Sequence, residues 1–310
     1  MNSTWGSSPY LKRSLIHRYG RYIRKALDRI RSHRSTDPRS GWIGAIGLLI
    51  QEVRQRYKFR VLAKRVMARY DLKAFGLQFI CYSRNVLFRV DTDSGPYALR
   101  LDVDTARSMS EVRSELTWLQ TINRNLPVTV PVPNAAKNGE LIQRMKAPDL
   151  GLEATAVLFS WIEGEPMYGS VPPERMEELG EMIGRMHVHG SKFEPPRSFH
   201  LPTWRPDMVH YWLGVQHAPE CLTYDRFQQV KRAATWAASE YSTVRRDLGT
   251  GIIHSDLSGQ NLIVRSTDIA AIDLEACSIG PFVQDLAMTL TYFTDRADLN
   301  ELRTPSSRAT

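Results

Sequence analysis

Residues 252–264 read IIHSDLSGQNLIV, two short apolar runs of strand-forming residues closed around a polar segment. Such runs predict two strand ends joined by a loop, and this loop holds His254, Asp256 and Asn261. A third apolar run, IAAIDLE, follows at once and carries Asp273. Carboxylates and amides at the ends of buried strands must be satisfied by one another or by a ligand. The pattern therefore demands a fold in which neighbouring strand ends meet at one place. The plainer alternative is a solvated loop followed by a stray Asp.

The spacing has a chemical logic. Transfer of a phosphoryl group needs a carboxylate that orients the attacking hydroxyl and takes its proton. The polyphosphate charge needs a hard cation such as Mg²⁺, which prefers oxygen ligands from an amide or a carboxylate. An Asp followed five residues later by Asn, with a further Asp on the next strand, is the protein-kinase arrangement of these groups.

The rest of the chain bounds the answer. Its 310 residues suffice for one large or two modest domains, and 42% hydrophobic with 24% charged residues is a globular composition. Cys81, Cys221 and Cys277 are odd in number and far apart, so neither a disulfide framework nor a metal knuckle is expected. With no apolar run near the ~18 residues of a membrane span and no secretory-type start, a cytoplasmic location is expected.

The net charge of +8 is unevenly spread. Residues 1–70 hold 17 Lys/Arg against Asp28, Asp37 and Glu52, whereas the other 240 residues hold 24 bases and 30 acids. Leu11, Leu15, Tyr19, Tyr22, Ile23, Ala26 and Ile30 recur at helical spacing among these bases. Residues 10–31 are thus a candidate for contact with an anionic membrane surface or RNA, which would make the protein membrane-peripheral. An extra helix packed on the body explains the same pattern. No specific DNA recognition is expected. Residues 31–41 look like a linker.

From residue 60 the pattern is that of a compact unit. A helix over RVLAKRVMARYDL precedes a hairpin, NVLFRVDTDSGPYALRLDV, turning at Asp93–Pro96. A helix follows with Met109, Val112, Leu116 and Leu119 on one face, then strands over GELIQRM and EATAVLFSWIEGE. The second half is mostly helical, with Met176, Leu179, Ile183 and Met186 as one stripe. Further helices cover YDRFQQVKRAATWAASEYSTVRR and FVQDLAMTLTYFT.

The stretch from IIHSDLSGQNLIV through AIDLEACSIGPFVQDLAMTL resembles the catalytic segment of the aminoglycoside phosphotransferase and choline kinase superfamily. That resemblance covers roughly residues 60–295. It implies an α+β, bilobal protein-kinase-like fold, with a small antiparallel-sheet lobe and a larger helical lobe. The expected division is a basic extension over 1–59, a nucleotide-binding lobe over 60–160, and a catalytic, acceptor-binding lobe over 161–310. Relatives usually continue with further helices, so the last lobe is expected to be shortened.

The resemblance implies a kinase using ATP and Mg²⁺ on a hydroxyl of a small molecule. Asp256 would be the catalytic base, with His254 bracing its loop, and Asn261 and Asp273 the metal ligands. Gln260 and Ser258 would line the loop, and Asp285 would tie the last helix to it. Arg100, on the strand YALRL, stands where kinases place a lysine, to be paired with Glu115, or with Glu111 as second choice. Ser83 and Asn85 occupy the phosphate-loop position, and Ser160 to Ile162 the hinge that offers backbone groups to adenine. The acidic balance after residue 70, with Glu163, Glu165, Glu275 and Asp285, favours a cationic amino sugar or amino alcohol. Trp204, Trp212 and Trp236 are candidates for a substrate pocket or for packing. Two alternatives stand beside this reading: a protein Ser/Thr kinase, and a non-catalytic nucleotide-binding module tethered by its basic arm.

Overall fold

The computed structural model describes residues 38–82, 85–103, 107–167, 172–204, 223–244 and 248–291. The segment 10–31, Ser83 and Trp212 lie outside the described residues. In chain order the elements begin with α1 (Pro38–Met67), β1 (Ala74–Tyr82), β2 (Asn85–Thr92), β3 (Gly95–Asp102) and α2 (Met109–Asn125). They continue with β4 (Pro133–Asn134), β5 (Ile142–Ala147), β6 (Leu152–Ser160), β7 (Glu165–Pro166), α3 (Pro173–Lys192) and α4 (Tyr224–Val244). Last come β8 (Thr250–Ile253), β9 (Leu262–Val264), β10 (Ile269–Ala271), β11 (Ser278–Pro281) and α5 (Val283–Thr291). None of the described helices is long and apolar enough to cross a membrane. The chain divides into two units, Met1–Asp104 with Ala135–Leu158, and Thr105–Asn134 with Phe159–Thr310.

The first unit is built on an antiparallel sheet in the order β1-β2-β3-β6, with β5 paired to β6. Strand β2 alternates strictly between buried and half-buried residues, which places Val86, Phe88 and Val90 in the core. The β2–β3 hairpin turns through Asp93 and Ser94, with Thr92 opposite Gly95. Gly95 takes φ +107° there, a conformation that side chains resist. Phe59, Leu62 and Val66 of α1 close over Leu99, Leu101, Ala154 and Leu158. Helix α1 begins at Pro38, inside the stretch expected to be a linker, and runs unbroken past residue 60. Proline at a first helical position loses no hydrogen bond, so the start is well accommodated.

The second unit holds the other helices and two small sheets, β10-β9-β7 and β11-β8. Helix α2 belongs here, although it follows β3 in sequence. Its start is fixed by a capping box: the Ser108 Oγ accepts the Glu111 N–H while Glu111 Oε2 accepts the Ser108 N–H. Val112, Leu116, Trp118, Leu119 and Ile122 form its buried face. Helix α3 buries Leu179, Met182, Ile183 and Met186, the expected stripe with Met182 added and Met176 only half-buried. Gly190 lies so close to β8 that a Cβ would sit 2.8 Å from the Ile252 carbonyl oxygen. That close approach brings α3 against the strand leading into the polar loop.

Candidate active site

Strand β8 ends at Ile253, and the chain turns sharply at Ser255, where φ is +69°. A non-glycine residue in this region is strained by about 1–2 kcal/mol, so something must hold it. Asp285 of α5 does: its Oδ2 accepts the His254 N–H at 2.9 Å and its Oδ1 accepts the Ser255 N–H at 2.8 Å. Oδ2 also lies 3.0 Å from His187 Nε2, and Asp285 is only 1% exposed. A buried carboxylate is tolerated when several donors converge on it. The hydroxyls of Ser255 and Ser278 add a contact at 2.7 Å.

His254 is buried and works within the loop. Its Nε2–H donates to the Ile272 carbonyl at 3.0 Å, which leaves Nδ1 to accept the Asp256 N–H at 3.3 Å. The imidazole is thereby fixed as one neutral tautomer, a brace beneath Asp256. Two tight turns follow, Ser258 N–H to Asp256 O and Asn261 N–H to Ser258 O, both at 2.8 Å. Gly259 packs against the chain at Met167, where a Cβ would come within 2.3 Å of the carbonyl oxygen.

Asn261 closes the loop onto Asp256. Its Nδ2 donates to the Asp256 carbonyl at 2.9 Å and to Asp256 Oδ2 at 3.0 Å. With the amide nitrogen so engaged, the amide oxygen is the atom this side chain can offer a cation. Strands β9 and β10 are antiparallel with Leu262 opposite Ala271, and the Ile272 N–H donates to the Asn261 carbonyl at 2.9 Å. That register sets Asn261 beside the residue preceding Asp273. Strand β10 stops at Ala271, and Asp273 turns out at φ +65°. Asp273 is exposed, so the expectation of a carboxylate buried in an apolar strand is corrected. Among the described residues only Ser255 and Asp273 are non-glycines at positive φ, and both flank this loop.

The pair Asn261 and Asp273 suits a hard divalent cation that takes its remaining oxygens from phosphates and water. Among the described residues no three His, Cys, Asp or Glu side chains gather as a metal cluster.

In the first unit, Arg100 is buried on β3, on the side opposite Leu99 and Leu101. Its Nε lies 3.3 Å from Asp102 Oδ1. Asn85, half-buried at the start of β2, stands opposite Asp102 in the register. In the second unit, Glu115 is 1% exposed and Arg107 Nη1 lies 2.9 Å from its Oε2, a partner the sequence had not suggested. Glu111 is committed to the cap of α2. Ser160 donates its N–H to the Val132 carbonyl at 2.8 Å and receives the Val132 N–H on its Oγ at 2.9 Å. That N–H is therefore already used, and Ile162 beyond it is half-buried. His187 packs on Phe282, with ring centroids 4.5 Å apart, as a structural histidine. Trp204 meets Tyr241 edge-on, and Trp236 is 66% exposed.

Homoserine kinase of Methylobacillus glycogenes is 23% identical over 190 residues, 61% of this chain and 54% of that protein. The chain thus spans about half the length of this curated relative. Among solved structures, a microcompartment-associated aminopropanol kinase superposes with a TM-score of 0.65 and 23% identity, covering 78% of this chain and 77% of its own. An amicoumacin kinase, solved with AMP-PNP, Ca²⁺ and Ami, gives 0.64 and 17% identity over 77% of this chain and 70% of its own. The choline kinase LicA from Streptococcus pneumoniae gives 0.51 and 12% over 79% of each. At these identities the superpositions establish a common protein-kinase-like fold. The profile of the phosphotransferase enzyme family matches residues 82–306, from the end of β1 through the whole of the Asp256 loop and α5, and the chain belongs to that family.

Proposed function

We propose that the protein is a kinase that moves the γ-phosphoryl group of ATP to a hydroxyl of a small cationic molecule. The observation that carries this reading is the fixed Asp256 carboxylate. Its backbone amide is held by His254 and its Oδ2 by Asn261, so the group is presented rather than left to wander. A carboxylate so held can accept the proton of an attacking hydroxyl and keep its oxygen in line. Asn261 and Asp273 are the residues to hold Mg²⁺, which when bound would neutralise charge on the transferred phosphoryl group. Arg100, buried on β3, is the cation for the nucleotide phosphates in this reading; Arg keeps its charge at any pH and can fork onto phosphate oxygens. Asn85 and the backbone near Ile162 remain the candidates for phosphate and adenine contacts.

A small acceptor is favoured because only a short 3-10 turn, Leu274–Ala276, separates Asp273 from β11. A polypeptide acceptor would be expected to dock on a longer segment there. Glu163 and Glu165 are exposed and Glu275 is half-buried, so this part of the chain carries negative charge that would attract an ammonium group. The similar protein named for aminopropanol agrees with an amine-bearing alcohol. The test is phosphate transfer from labelled ATP to a panel of amino alcohols, amino sugars and neutral diols. Asp256→Ala should lower turnover by about 10²–10⁴ while leaving nucleotide affinity within a few-fold. Equal turnover by the variant would remove Asp256 from the chemistry, and transfer to neutral diols in preference to amines would remove the cationic acceptor.

A further inference from the structure

Helix α1 buries side chains against the sheet from Phe59 onward, whereas none of residues 50–58 is buried; of these, Arg56 lies over the Phe79 ring of β1 and Lys58 Nζ donates to the Asp149 carbonyl. A helical stretch with so little apolar packing gains little from intrinsic propensity alone. Ile50, Val53 and Tyr57 are 46%, 60% and 68% exposed. At a helical spacing of 100° per residue they fall within an arc of about 60°, opposite the buried Phe59, Leu62 and Val66. By the same spacing Arg60 flanks this apolar stripe on one side and Arg54 and Lys58 on the other, all three exposed. Glu52 lies around the helix from the stripe and is paired with Arg56.

We infer that this face of α1 docks on an anionic lipid surface. Ile50, Val53 and Tyr57 would enter the boundary between headgroups and acyl chains, while Arg54 and Arg60 reach lipid phosphates along the two edges. Charge complementarity selects this occupant. A second copy of the chain would bring the same positive face, from a region with 17 Lys/Arg and three acids in its first 70 residues. Residues 10–31 of the same chain carry that sign as well. A nucleic acid would match the bases but leave the apolar stripe uncovered.

The test is flotation of the full chain with vesicles of phosphatidylcholine alone, or with about three parts in ten phosphatidylglycerol. Partition onto the anionic vesicles should exceed that onto the neutral ones by about tenfold and fall with added salt. Val53→Ser with Tyr57→Ser should lower anionic binding about tenfold at any salt concentration, and Arg54→Gln with Arg60→Gln should weaken both binding and its salt dependence. Trp236→Ser, on exposed surface of α4, should change nothing. These side chains are exposed, so melting curves should coincide with wild type. Binding that survives Val53→Ser with Tyr57→Ser overturns the inference. So does equal binding to neutral vesicles, or a solution dimer lost in that variant without any lipid binding. Binding of RNA that needs the arginines and not Val53 or Tyr57 would overturn it as well.

Discussion

Replacing Asp285 tests the geometry of the site most directly, because three donors converge on it: the His254 N–H, the Ser255 N–H and His187 Nε2. Hydrogen bonds to a charged acceptor contribute about 1.5–3 kcal/mol each, and a buried donor left without a partner costs about 1–3 kcal/mol. The three bonds share one carboxylate and are not additive, so Asp285→Ala should destabilise by about 3–5 kcal/mol. At roughly 2–4 °C per kcal/mol for a unit of this size, melting should fall by about 10 °C. Asp285→Asn keeps the shape but presents an NH₂ to one of the donors, and should cost about 1–3 kcal/mol. Activity should fall further than stability. With its N–H released, Ser255 is held at positive φ only by its hydroxyl contact with Ser278 among the bonds described, and a shift of about 1 Å at the neighbouring Asp256 can cost about 100-fold in turnover. The measurements are thermal melts and steady-state turnover at a temperature where both variants are folded. An Asp285→Ala protein that melts within about 2 °C of wild type and turns over normally would refute the reasoning.

Gly259→Ala should destabilise by about 1–3 kcal/mol and lower turnover, because the new Cβ would collide with the Met167 carbonyl. Gly184→Ala is the control: nothing lies within 4 Å of its Cβ position on α3, and the change should be neutral or stabilising in urea titrations. His189 is stacked on Trp118 and burial lowers its pKa. The unfolded chain then takes up the proton more readily, so stability should decline as pH falls below about 6.5 and level off below the folded pKa. His189→Gln should flatten that decline between pH 7 and 5 in urea midpoints, and an unchanged slope would exclude the histidine as its source.

The elements whose signals are local were readable from the residues. The β2–β3 hairpin follows from alternation and a turn, and the contact of Asp256 with Asn261 follows from a spacing that a short loop can close. The pairing of Glu115 with Arg107 was not readable, because a buried glutamate on a helix can meet a cation from any passing segment. Glu111 was a plausible rival only until the Ser108 cap is considered; Ser-x-x-Glu ahead of an apolar run is itself a start signal. Two features ran against local preference. Ser255 adopts a conformation that glycine would favour, and no serine advertises this in a sequence. The apolar run around Asp273 predicts a buried carboxylate, yet the strand ends two residues earlier and the chain turns outward. The start of α1 at Pro38 was masked by polar residues that elsewhere make linkers.

The β9–β10 hairpin works as a ruler for the two residues at its open end. Each strand is only three residues long, and the intervening corner is clamped by Arg265, Asp268 and Thr129. Exchanging the corner for one of different length, with the strand pairing kept, should leave the Asn261–Asp273 spacing intact. Inserting a single residue within β9 would throw Asn261 to the opposite face of the ribbon. Loop grafting at that corner is therefore a route to altering the surroundings of the site without re-measuring its ligands.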